Sequence, residues 1–358
     1  MRPAPRKFQS PGACQLICWL GRSRVLGGGH FLSRSSSVQY WCLFVVILVT
    51  ASLSGCGVDH PDPARFNGSW VLNSESVPMA MEVTGAGTDA LAGSIVGAVG
   101  GRVQPFLESE IREGRLAFRV AREFDSGVTV GSTTEAWFDG DQLVGETVRE
   151  DRDGKRSWVA RRPDEVSDEE DGGWEEGQPV TLFDGSDLSE WHTEPPGQTN
   201  GWTVDDGVIK NAGRASDLTS NREFWNFQLH LEYRVAEGGN SGIGLRGRYE
   251  VQIYDDFGTE TSVHGNGAVY SRIKPTLLAS KPHTEWQTFD IRLVGRIVTV
   301  VLNGTTITDR REIEGLTAMA RDAKESSPGP ILLQGDHGPI EFRRVVVTPL
   351  TRGSQGAE

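Results

Sequence analysis

The residues best equipped for chemistry fall between Gly238 and Asp255. There Gly238-Gly239-Asn240-Ser241-Gly242-Ile243 leads through Leu245-Arg246 into Tyr249-Glu250-Val251-Gln252-Ile253-Tyr254-Asp255. Alternation from Tyr249 to Tyr254 predicts a strand with Val251 and Ile253 on one face and Glu250, Gln252 and Tyr254 on the other. The first set can join a core. The second offers a carboxyl, an amide and a ring to a ligand. One alternating strand alone does not separate that reading from an ordinary solvated face, because antiparallel sheets often carry polar residues on their outer side.

Other chemistries are poorly served. Gly242, Gly244 and Gly247 satisfy G-x-G-x-x-G, but that motif binds a dinucleotide only where it opens a helix, whose N-terminus holds the pyrophosphate. Here it runs straight into the Tyr249 strand, so the glycines read as positions of close backbone approach. His192, His230, His264, His283 and His337 are scattered, without H-E-x-x-H or a thiolate partner, which argues against a catalytic zinc. Ser241 lacks the G-x-S-x-G frame of a nucleophile elbow. No cofactor is expected beyond a structural calcium ion that Asp255-Asp256 could contact.

Several motifs recur in a fixed order along the second half of the chain. They are Phe183-Asp184-Gly185 with Leu188 and Trp191; Trp202-Thr203-Val204; Gly207-Val208-Ile209; Asn226-Phe227; the Gly-Gly-Asn-Ser-Gly block; Tyr249-Glu250-Val251-Gln252-Ile253; Gly267-Ala268-Val269-Tyr270; Lys281-Pro282 with Glu285-Trp286; Leu302-Asn303-Gly304; Leu333-Gln334 with His337-Gly338; and Phe342-Arg343. In this order the stretch resembles the 3-keto-disaccharide hydrolase domain family over about residues 178 to 350. It departs from the pattern at Gln287, where Asn is usual, and at Gly335-Asp336, which sets an extra acid before His337. The resemblance implies a concanavalin A-like jelly roll whose concave face carries a carbohydrate site.

It also implies a route that starts from a sugar oxidised to a ketone at C3. The ketone acidifies the C2 proton; a base removes it, the glycosidic oxygen leaves C1 by elimination, and water adds back. Such a reaction needs a base, a donor for the developing enolate and an acid for the leaving group. Residue chemistry at the family's motif positions suggests Glu250 as base, Arg246 or His337 for the enolate, and Asp255 or His337 for the departing sugar. Asn240, Arg246, Gln252, Lys281 and Gln334 are the candidate substrate contacts. Glu250-x-Gln252-x-x-Asp255 also resembles the E-x-D-x-x-E strand of laminarinase-type glycosidases, in which a bulge brings the last acid onto the first one's face. Direct retaining hydrolysis is therefore a second reading, weakened because Gln252 replaces the middle acid. A silent carbohydrate-binding module is a third, since jelly rolls serve lectins as well as enzymes.

The elements that must position these groups are strands. After Pro179, strand candidates recur at Val180–Phe183, Phe227–Arg234, Gly242–Leu245, Tyr249–Ile253, Phe289–Leu293, Ile297–Leu302, Ile331–Gln334 and Phe342–Val347. Asn303-Gly304 supplies a tight hairpin, and a short helix is expected around Leu316 to Arg321. The fold class is all-β: a jelly roll over 179–350 preceded by a small separate β-domain over 60–163, whose hairpin rhythm is distantly lipocalin-like. Between them, 164–178 is crowded with Asp and Glu around Gly172-Gly173, the composition of a solvated linker.

The four cysteines, Cys14, Cys18, Cys42 and Cys56, all lie at or before position 56, so neither domain is expected to hold a disulfide. Leu53-Ser54-Gly55-Cys56 matches a bacterial lipoprotein cleavage box. The apolar run from Tyr40 to Leu53 fits a signal h-region and is short of the roughly 20 residues a membrane span needs. Residues 1–55 read as a leader and Cys56 as the lipidated first residue of an exported, membrane-anchored protein. The basic stretch before the run is long for a leader, which a start further along the chain would explain. Six basic and no acidic groups precede position 40, so loss of residues 1–55 takes the formal net charge from −13 to −19. Such a surface repels nucleic acid.

Overall fold

A computed structural model of the protein describes residues 60–73, 78–96, 102–123, 127–194 and 201–353. Among them the chain is all-β, with one 3₁₀ turn at Pro63–Phe66 and no α-helix. The apolar run and Cys56 lie outside the described residues. No helix among the described residues is long and apolar enough to cross a membrane.

The second half folds as a jelly-roll sandwich of two antiparallel sheets. The smaller sheet runs in the order Trp191–Glu194, Asp217–Phe224, Gly329–Leu333, Asn240–Leu245, Tyr249–Tyr254. The larger runs Trp202–Asp205, Val208–Ala212, Pro339–Arg352, Phe227–Val235, Gln287–Val294, Ile297–Leu302, Thr305–Glu312, with Trp174–Glu176 and Val180–Phe183 also pairing to Pro339–Arg352. Strand alternation builds the core between them. In Phe227–Val235 the odd-numbered residues are buried while Gln228, His230, Glu232 and Arg234 lie outside. Tyr249, Val251, Ile253, Ile243, Leu245, Ile331 and Leu333 answer them from the smaller sheet. Each such side chain contributes about 1.5–3 kcal/mol when fully buried.

The first half is a nine-stranded antiparallel meander in which Gly68–Asn73, the first strand, pairs with Lys155–Arg161, the last. The sheet curls until Leu107 N donates to Arg119 O at 2.8 Å and Phe106 stacks on Phe118 with ring centroids 4.0 Å apart. Phe66, Trp70, Leu72, Leu116, Phe118, Leu143 and Trp158 fill its own core. From Val58 onward both cores belong to one compact unit.

Two expectations are corrected. Leu316–Arg321 forms no helix, because its backbone donors are drawn to a neighbouring turn: Thr317 N bonds Arg248 O and Arg321 N bonds Gly247 O. The acidic stretch after Pro163 is not a solvated linker but lies docked on the jelly roll. Asp168 accepts from Trp225 Nε1 at 2.6 Å and Asn226 Nδ2 at 2.7 Å, and Glu170 pairs with Arg292 at 2.8 Å. Trp174–Glu176 adds a strand to Pro339–Arg352. Composition reported the charge; it could not report that the jelly roll offers basic and amide partners along that path.

Candidate active site

Asn240–Leu245 and Tyr249–Tyr254 form a hairpin in unbroken register, with Gly244 opposite Glu250, Gly242 opposite Gln252, and Asn240 opposite Tyr254. Its turn is Arg246-Gly247, at φ 54° and 65°, closed by Arg248 N donating to Leu245 O at 3.1 Å. Two successive positive-φ residues make the turn whose twist matches the flanking strands. Alternation then sends Tyr249, Val251 and Ile253 into the core and leaves Glu250 and Gln252 on the outer face, opposite glycines. A methyl group on Gly242 would stand 2.6 Å from Glu250 Oε1 and 2.8 Å from Met319 Cε. The carboxyl therefore lies across bare backbone, beside the Met319 methyl.

Glu250 is only 4% exposed. The segment 316–321 covers it, and Thr317 Oγ1 accepts from Glu250 N at 2.9 Å. Burial pushes the Glu250 carboxyl up to about 8; His337 pulls against this, while Asp217 and Asp336 add to it. An ionised carboxylate loses its hydration here and meets two further acids. Asp217 is also raised, by burial first, although its Oδ1 accepts from Gly335 N at 2.9 Å and its other oxygen pairs with Arg321. His337 binds Asp336 through Nδ1, and that bond chiefly holds its imidazolium above the ordinary histidine range. Three carboxyl groups, one imidazole and one guanidinium thus act on each other over a single patch of sheet.

The amides complete it. Gln252 meets the Asn240 side chain at 3.0 Å, and with its amide turned to match donors with acceptors its nitrogen donates to Glu250 Oε1 and Ser241 O at 3.1 Å each. Gln334 N donates to Gly242 O at 2.9 Å, which sets Gln334 on the rung shared by Gly242 and Gln252. Among the described residues no three of His, Cys, Asp and Glu are gathered as a metal-binding set. Asp256 is taken up by protein donors, Ser280 Oγ at 2.6 Å and Asn266 N at 2.8 Å.

The structure therefore brings Glu250, Asn240, Gln252, Gln334 and His337 together and places three other candidates elsewhere. Arg246 is 1% exposed; it bonds Gly295 O and lies over the Trp225 and Tyr249 rings, 4.2 and 5.2 Å from their centroids. Its positive φ turns it out of the alternation and through to the core side, so it does not face Glu250. Lys281 Nζ donates to Trp286 O at 3.1 Å, and the Trp286 ring rests on Arg234 and Arg343, on the outside of the larger sheet. Asp255 lies past the strand end, where it caps Gly238 N at 2.9 Å and stands 3.4 Å from His283. No bulge carries it onto the Glu250 face, since the hairpin register is unbroken. Sequence reasoning missed Asp217, Met319 and Arg321. Alternation around Leu218 could have revealed Asp217; nothing local links Thr317 and its neighbours to a strand 67 residues away.

Residues 178–348 match the family profile of the 3-keto-alpha-glucoside-1,2-lyase-like domain. A 3-keto-disaccharide hydrolase of Bacteroides thetaiotaomicron is 35% identical over 74 residues, 18% of this chain and 26% of that protein. The chain thus spans about a quarter of the length of that curated relative. A solved structure from Parabacteroides distasonis, provisionally described as a glycosyl hydrolase, is 29% identical over 49% of this chain and 90% of that one, with a TM-score of 0.42. A non-specific endo-beta-1,3(4)-glucanase from family GH16 aligns over 54% of this chain and 95% of its own at 10% identity, with a TM-score of 0.33.

Proposed function

Since residues 178–348 belong to the 3-keto-alpha-glucoside-1,2-lyase-like domain family, we propose that the protein cleaves the glycosidic bond of 3-keto-glycosides by abstraction of the C2 proton, elimination and hydration. The observation that carries this reading is Glu250, a nearly buried carboxyl raised to about 8 beside His337, whose affinity for a proton Asp336 raises above the ordinary histidine range. A base with that affinity for protons is matched to a carbon acid activated by a neighbouring ketone, and its charge state changes close to working pH.

In this reading the C2–H electron pair moves into the ring as Glu250 takes the proton, and an enolate forms at the C3 oxygen. Collapse of the enolate expels the C1 oxygen, which takes a proton from His337. The product is a 1,2-unsaturated 3-keto sugar, and water then delivers hydroxide to C1 and a proton to C2, so the net change is hydrolysis. Asn240, Gln252 and Gln334 present amides for the sugar hydroxyls. The laminarinase-like carboxyl pair that direct retaining hydrolysis would use is not formed, since Gln252 carries no carboxyl and Asp255 is turned to Gly238 and His283.

A matched pair of substrates tests the proposal, one a 3-keto-glycoside and the other its unoxidised parent. The first should turn over and the second should not. Glu250→Gln keeps shape and hydrogen bonding, and should lower turnover of the keto substrate about 10²–10⁴-fold while preserving binding. Equal turnover of the parent would favour direct hydrolysis. Binding without turnover of either would leave a carbohydrate-binding module.

A further inference from the structure

Glu250 is reached only if the chain above it moves. That chain, 314–327, has no regular secondary structure and is held by side chains and carbonyls from both halves of the protein. On the site side Arg321 pairs with Asp217. Beside the hairpin turn Asp322 pairs with Arg248 at 2.6 Å. The jelly roll also holds Thr317 N and Arg321 N through the Arg248 and Gly247 carbonyls, Leu316 O through Arg272 Nη2 at 2.7 Å, and Glu325 through Tyr249 Oη at 2.8 Å. A separate set of ties, gathered at 323–326, comes from the first half of the protein. Arg161, the end of the meander's last strand, donates from Nη2 to Ala323 O at 2.5 Å and from Nη1 to Asp164 Oδ1 at 2.5 Å. Asp164 Oδ2 in turn accepts from Ser326 N at 3.3 Å and Ser326 Oγ at 3.1 Å.

We propose that Arg161 is a positioning residue for the jelly-roll site. Directly through Ala323, and through Asp164 to Ser326, it holds the 316–326 segment, with Met319 and Arg321, closed over Glu250. The meander thus acts as the abutment of a cover that excludes water from the reacting carboxyl and lifts to admit substrate. The inference rests on Glu250 being the reacting base; the strut itself does not. Arg161 touches none of the groups that face Glu250, which are His337 and Asp336 after the Gly329–Leu333 strand, Asp217 on the neighbouring strand, and Arg321 on the cover beside Asp217. A change at Arg161 therefore reaches Glu250 only through the cover.

Hydrogen exchange of the full chain, read peptide by peptide, tests this without relying on turnover. Arg161→Ala should speed exchange of the 316–326 amides roughly 10- to 100-fold, the opening expected from losing one charge-assisted hydrogen bond, with the Asp217–Phe224 and Tyr249–Tyr254 strands unchanged. Arg161→Lys should restore part of the protection. Ser326→Ala, a milder cut that spares Arg161, should give an increase of a few-fold. With the keto substrate, the rising limb of kcat/KM against pH should move to lower pH in Arg161→Ala, because a better-hydrated Glu250 ionises earlier. Unchanged exchange of 316–326 in both Arg161→Ala and Asp164→Ala would overturn the proposal. Absence of turnover in the wild type would instead count against the glycosidase reading, with exchange still deciding the fate of the strut.

Discussion

Glu250 is a carboxyl made unusual by what lies around it rather than by its place in a motif. With its value raised to about 8, roughly a tenth is ionised at pH 7, so kcat/KM for a reaction using it as base should climb toward pH 8. The same group sets a pH dependence of stability. The folded chain keeps this proton up to about pH 8, whereas the unfolded chain releases it near 4.5, so stability falls as pH rises across that window. His337 acts in the same direction: its raised affinity stabilises the fold below the ordinary histidine range, and that contribution is lost as pH climbs through its folded value. Thermal melts at pH 5 and pH 8 should show a drop that is smaller in Glu250→Gln; an equal drop in both proteins would assign the effect elsewhere. Met319→Ala removes the methyl beside the carboxyl and admits water. It should bring Glu250 down by roughly a unit or more, seen as an earlier rise in the pH–rate profile.

The hairpin of Asn240–Leu245 and Tyr249–Tyr254 is what makes that environment possible. Glu250 and Gln252 lie flat because their cross-strand neighbours are Gly244 and Gly242. Gly242→Ala would put a methyl 2.6 Å from Glu250 Oε1, so either the carboxyl or Met319 must yield. We expect at least a tenfold loss of turnover together with a destabilisation of about 1–3 kcal/mol, measured by kinetics and chemical denaturation. Wild-type turnover in that variant would show that Glu250 has room the structure does not give it. The strands themselves were legible: Tyr249–Ile253, Gly242–Leu245, Ile297–Leu302 and the Asn303-Gly304 turn, at φ 52° and 78°, all formed where alternation and turn chemistry put them. Arg246-Gly247 adopts a similar positive-φ turn. It went unread because arginine is not a residue that announces positive φ, and that one misreading carried Arg246 onto the wrong face.

Over the molecule as a whole, the acidic segment after Pro163 behaves as a strap. Asp168 is one of its ties, accepting from both Trp225 and Asn226. Limited proteolysis within 164–178 should be slow in the wild type and markedly faster in Asp168→Ala, since cleavage needs the strap to lift. Cutting at equal rates in both would mean the strap is not held there. Beyond the described residues, we propose that Cys56 anchors the protein by lipidation. Cys56→Ala should then appear in the soluble fraction, and an unprocessed form that still partitions into detergent would favour an uncleaved anchor.

Composition, periodicity and motif order were sufficient for an all-β chain, for the hairpin that bears Glu250 and Gln252, and for the family, because these depend on neighbours two to ten residues apart or on short words in a fixed order. Asn240, Gln334 and His337, singled out from the same motifs, lie on the surface that carries Glu250. Tertiary structure alone decided that Asp255 and Lys281 stand elsewhere, and that Asp217, Met319 and Arg321 join Glu250. Burial, which raises Glu250, comes from a loop 67 residues downstream, and the docking of the strap comes from partners up to 181 residues away. Solvent exclusion and long-range pairing belong to the packed chain, and no local word in a sequence encodes them.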